Sequence, residues 1–213
     1  MKRHKKRIFV VYIFSLWLIP YSCVSGDFLA MDDLKFVQDT GIRKHLRIDG
    51  FYLPDSINSP DYGENGYIIY EDGSIINAYA YYLRNVLDGP YPAKSIYSLS
   101  RDNGVYGIRG DTITANIYRC ESWLHKNIKR MARFEAKIID STHFNKYITE
   151  YYILDTMKTG ERVIEQPYHF VQFDTLPPSS KMFIKEREVL WDDKLEYLKF
   201  MNSNGKKIKH KKE

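Results

Sequence analysis

The stretch from Gly104 to Cys120, GVYGIRGDTITANIYRC, constrains the fold more than any other. Two runs of β-favouring residues flank Gly110-Asp111, and a Gly-Asp pair in that setting signals a two-residue hairpin turn. Gly110 is expected to take a positive φ there. On the outgoing strand Ile113, Ala115 and Ile117 fall on one face, and Thr112, Thr114 and Asn116 on the other. That period of two suits an antiparallel strand with one face on a core and one in water.

The pattern recurs along the chain. Strands are expected over residues 46–53, 67–70, 74–83, 130–140, 144–154, 162–165 and 169–176. Glu71-Asp72-Gly73 and Ser141-Thr142-His143 are expected turns, residues 54–66 a loop, and Lys158-Thr159-Gly160 a break. Residues 84–103 carry two Pro and read as a long loop, a length that suggests a lid or a crossing strap. Beyond Pro177-Pro178, Leu190, Tyr197, Leu198 and Met201 recur at a helical spacing over residues 189–201, an amphipathic helix ending near Asn204-Gly205. The expected fold is all-β: an antiparallel meander closed as a lipocalin-like barrel of about eight strands, with a C-terminal amphipathic helix. Closure removes exposed strand edges, and 213 residues suffice for one such domain.

Residues 1–22 read as an export signal: a basic start from Lys2 to Arg7, then a run of twelve from Ile8 to Ile19 broken only by Ser15. The run is too short for a spanning helix, which needs roughly 20 apolar residues. Cys23 follows Ser22 where a bacterial lipoprotein signal is cut, although Pro20 and Tyr21 depart from the usual lipobox. Lipidation of Cys23 is the expectation, ahead of a disulfide with Cys120, the only other cysteine. It would place the protein at the outer membrane, facing the periplasm or the surface, anchored through its N-terminal lipid. Residues 23–45 read as a tether, 46–201 as the barrel with its helix, and 202–213 as a basic tail.

The net charge of +5 sits at the ends. The signal's five basic residues account for all of it, and residues 206–213 carry four more positive charges, leaving Cys23 to Gly205 at about −4. A nucleic-acid binder carries its positive charge on the folded surface, so that class is set aside.

The segments GVYGIRGDTI, AKIIDSTHF and YHFVQFDTLPPSSK, with Trp191 beyond them, resemble uncharacterised lipocalin-like (calycin-type) lipoproteins of Bacteroidetes. The resemblance runs from about Leu46 to Trp191. It implies a small calycin barrel with a C-terminal helix and carries over no catalytic residue.

No motif here marks an enzyme. None of the six His residues stands at a metal-ligand spacing, and neither a G-x-S-x-G elbow nor a Gly-rich phosphate loop is present. No cofactor and no metal is expected. The chain is rich in tyrosine, with 18, and Tyr79, Tyr106, Phe134 and Tyr151 share the inward face if the strand registers hold. In a barrel they either line a site for a small apolar or glycan ligand or fill the core. The expected function is non-catalytic ligand binding by an envelope lipoprotein. An interaction module contacting an envelope protein partner and a hydrolase with a dispersed site are the alternatives.

Overall fold

A computed structural model describes residues 34–37, 39–55, 65–89, 91–92, 95–96, 102–120, 128–153, 157–186 and 190–205. The export signal, Cys23, most of residues 90–101 and the basic tail lie outside the described residues. Eight strands run β1 Gly50–Pro54, β2 Asn65–Ile69, β3 Ser74–Tyr79, β4 Asp102–Arg109, β5 Thr112–Cys120, β6 Ile128–Asp140, β7 His143–Ile153 and β8 Met157–Gln172. Each pairs antiparallel with the next and β8 pairs with β1, so the meander closes. The expected fold class is the one observed.

The turn of the central hairpin is as its sequence demands, but Asn116, expected on a water-facing side, is fully buried because the outer core covers that face. Arg109 pairs with Thr112 across the turn, and Gly110 has φ 63°. The β2–β3, β4–β5 and β6–β7 turns lie at one end of the barrel, and the long connections from β1 to β2 and from β3 to β4 leave from the other.

Four differences from the expected layout have physical causes. The strand expected to run on to residue 83 stops at Tyr79, where helix α1 Ala80–Leu87 begins; it buries Ala80, Leu83 and Val86, a spacing that only a helix places on one face. Leu83 packs so close to Gly66 that a Cβ there would stand 2.6 Å from its methyl. The break expected at residues 158–160 and the two strands beyond it are one strand, β8, whose extra residues are absorbed by register shifts against β7. The end of the expected tether is part of the fold: Leu34, Phe36 and Ile42 are buried. A 3₁₀ turn at Ile42–Lys44 with Leu46 then plugs the short-turn end, so β1 starts at Gly50 and not at residue 46. Finally, Trp191 leaves the last helix to bridge Phe36, and α2 Lys194–Ser203 begins behind the Asp193 cap.

Two cores result. The inner one takes side chains from all eight strands. The outer one lies on the other face of the sheet, chiefly β1–β4, beneath α1, the N-terminal segment and the chain after β8. Strands β1 to β3 are therefore buried on both faces for most of their length.

The outer wrapping is fastened by one buried ion pair. Lys185, 4% exposed, meets Asp72 in the β2–β3 turn, while Ser179 and Ser74 also donate to that carboxylate. Burial raises the Asp72 pKa, but Lys185 and the hydroxyl donors outweigh it and the net shift is downward. The pair thus stabilises the fold above about pH 4, and that contribution fades as acid protonates Asp72.

Two outcomes follow. Gly110→Val should cost about 1–2 kcal/mol in a denaturant melt, through backbone strain alone because the space around Gly110 is open, and Gly110→Asn should cost less. Lys185→Met should cost about 1–3 kcal/mol at pH 7 by leaving the largely buried carboxylate with only its hydroxyl donors. That penalty should shrink in melts as the pH falls below about 4, where the pair's contribution fades.

Candidate ligand site in the upper half of the barrel

Directly paired residues of antiparallel strands share a face. The inward face therefore follows from the registers, and ring contacts between non-adjacent strands confirm which face it is. Tyr67 of β2 meets Phe134 of β6, on the opposite wall, with centroids 4.9 Å apart. Tyr67 also meets Tyr168 at 5.3 Å, and Phe144 stacks on Tyr168 at 4.9 Å. These rings span the lumen at mid-height.

Below them the barrel is filled. Ile75, Ile113, Ala136 and Tyr106 are buried with Ile42 and Leu46 underneath. The Tyr106 hydroxyl donates to the Tyr70 carbonyl at 2.6 Å and lies 2.8 Å from the Thr40 hydroxyl. Burial raises its pKa, so it stays a phenol.

Above the rings the inward face is polar. Strands β6 to β8 have 13, 11 and 16 residues against five or six in β1 to β3, so one wall rises beyond the other. At about 3.3 Å per residue the excess is on the order of 20 Å of extra strand. The inward positions there include Asn77, Asp102, Arg119, Thr149, Arg162 and Gln166, read from the pairs Asn77↔Asp102↔Arg119, Phe134↔Thr149↔Arg162 and Lys146↔Gln166. Asp102 and Arg119 form a bidentate pair, with N···O distances of 3.2 and 3.0 Å.

Lys146 stands at the centre of this floor. Ala136 and Phe134 both face inward, and the residues opposite them on β7 are Lys146 and Thr149, so the bulge between Lys146 and Ile148 turns the lysine into the lumen. Its ammonium donates to the Tyr67 hydroxyl at 3.3 Å and lies 5.6 and 5.4 Å from the Tyr67 and Tyr168 ring centroids. It is only half-buried.

The four aromatic residues singled out in the sequence share the inward face but not one site. Tyr106 lies in the lower core, Phe134 is part of the ring floor, and both are buried. Tyr79 and Tyr151 stand at the upper rim, Tyr79 edge-to-face with Tyr82 at 5.8 Å and Tyr151 43% exposed. Lys146, Arg162 and the Asp102–Arg119 pair went unnoticed in the sequence, because the bulge and registers that gather them leave no local signature.

A second cluster resembles a catalytic arrangement without being one. Thr142 Oγ1 lies 2.9 Å from His143 Nδ1, and Asp140 Oδ1 lies 3.0 Å from that same nitrogen. A hydrolytic triad uses both ring nitrogens, one for the nucleophile and one for the acid. Here all three groups converge on one atom of an exposed hairpin turn. The Thr142 backbone N–H, then its hydroxyl and His143, bring the Asp140 pKa down to about 2, which is turn chemistry. No family model, curated protein or solved structure matches this chain, so its site is read from its own geometry.

Phe134→Ala should cost about 3–5 kcal/mol in a thermal or denaturant melt, as truncation of a packed ring does. Tyr151→Ala, on the exposed rim, should stay within about 0.5 kcal/mol of the parent.

Proposed function

We propose that the protein is a non-catalytic binding protein of the cell envelope, anchored through a lipid on Cys23, that holds a small ligand in the upper half of its barrel above the Tyr67–Phe134–Tyr168 floor. One observation carries this reading: the inner core stops at that floor, while the longer β5–β8 wall continues upward with a polar, partly exposed inward face. A packed lower half and a wetter upper half make a shallow cup, and a few convergent polar groups over an apolar base are what small-ligand sites present. The resemblance to lipocalin-like lipoproteins agrees with such a role. It also fits export, as do the basic start, short apolar run and Ser22-Cys23.

The filled lower half and the exposed Tyr81, Leu87 and Tyr91 on and just beyond α1 favour a second reading, a docking face for an envelope protein. Amide chemical-shift mapping with total glycan and lipid extracts of the source envelope separates the two. Shifts confined to residues 102–104, 117–119, 130–134, 146–151 and 160–166 support the cup, and shifts confined to residues 79–91 support docking. For the anchor, Cys23→Ala should move the protein from the membrane to the soluble fraction, and retention at the membrane after signal removal would count against lipidation.

A further inference from the structure

We infer that the ligand held in this cup is an acidic saccharide, its anionic group on Lys146 and Arg162 and a sugar ring against Tyr151; the inference rests on the binding reading above.

The argument begins with charge. On the inward face above the ring floor the described residues include four cations, Arg119, Arg130, Lys146 and Arg162, against one acid, Asp102. Asp102 is engaged by Arg119. Lys146 and Arg162 have no carboxylate within ion-pair reach among the described residues. Glu135, Glu150 and Glu161 stand on the outer face, where Tyr147, Tyr152 and Lys158 hold all three, and Glu165 accepts from Asn145. In a folded segment that is acidic overall, this inward face thus holds two cations, Lys146 and Arg162, with no carboxylate beside them among the described residues. Lys146 uses one of its three N–H groups on Tyr67, which leaves two for an anion, and the rings beneath it keep water from that side.

Shape and polarity choose the rest of the ligand. A hydrocarbon tail needs an apolar channel, and Tyr67, Phe134 and Tyr168 close the lumen directly below Lys146. The inward positions above the rings instead carry amides and a hydroxyl, on Asn77, Thr149 and Gln166, with the Asp102–Arg119 pair. Those are partners for sugar hydroxyls. Tyr151 supplies a flat face, since it pairs with Gly160 and a Cβ there would lie 3.8 Å from its ring, while Ala132 on its other side is equally small. An exposed ring between two small residues is a platform for a pyranose.

Titration calorimetry of the full chain at low salt with trigalacturonate, its full methyl ester and a sulfated chondroitin disaccharide tests this. The expected result is that the anionic probes bind, that the ester of the same shape binds at least about tenfold more weakly, and that Lys146→Met and Arg162→Gln each weaken the anions about 10- to 100-fold while sparing the ester. Lys137→Met, an exposed cation beside the Gly110 turn, should bind like the parent. Preference between the probes tells carboxylate from sulfate. Equal binding of acid and ester, or anion binding unchanged in both cation variants, overturns the charge assignment; the cup itself then stands only if Tyr151→Ala still weakens every probe. If no probe binds at about 10 mM, or if Tyr151→Ala binds them all like the parent, the cup falls with it.

Discussion

The contact between Tyr67 and Phe134 is the one on which the rest of the molecule turns. It joins opposite walls of the barrel at mid-height, and with Tyr168 and Phe144 it makes a continuous layer of rings. An eight-stranded barrel is just wide enough for side chains to meet in the middle, so large rings suffice to seal it. Everything below is a packed core, plugged by Ile42 and Leu46 and tied by the Tyr106 hydroxyl. Everything above is a surface. Without this layer the polar inward positions of the upper half would face a void, and Lys146 would have no apolar base to stand on.

The upper half exists because the strands are unequal. Strands β1 to β3, of five or six residues, go little beyond the ring layer. The β5–β8 wall continues, but a flat extension would splay from the barrel. The register shifts near Lys146 on β7 and its partner β8 occur at the level where β8 leaves β1 at Tyr168. Bulges bend a strand and increase its twist, which lets the unsupported wall curl over the floor. The same irregularity aims Lys146 inward beside Thr149. One local defect thus both shapes the cup and places its central charge.

Much of the fold was legible in the sequence, and the failures are instructive. The Gly110-Asp111 hairpin and β6 were legible because each has one dry and one wetter face, and the alternation of residues such as Ala132, Phe134 and Ala136 survives in the chain. Strands β1 to β3 lie between two cores, so their apolar residues run on without alternation and their ends blur. The switch from strand to helix at Ala80 was hidden for the same reason: YAYYL has aromatic, β-favouring residues, and the outer core decides in favour of a helix through Leu83 and Val86. The site was least legible of all. Asp102 and Arg119, and Thr149 and Arg162, are distant in sequence and become neighbours only through pairing.

The two cores also explain how a barrel that is dry below stays wet above. The outer wrapping, held by Lys185 on Asp72 and by Trp191 on Phe36, lies mainly over β1 to β4. Those short strands are clamped from both sides, whereas the long wall opposite is covered by fewer of the described residues and carries charge on both faces, Lys158 and Glu150 outside, Arg162 inside. Rigidity and apolar burial are thus concentrated on one half of the circumference, and exposed polar groups on the other. Lys146 stands at the junction of the two: its stem and two π-faces lie on the dry side, its remaining N–H groups on the wet one. At this height its ammonium lies over the Tyr67 and Tyr168 rings, and an apolar floor of that kind screens a charge less than water does.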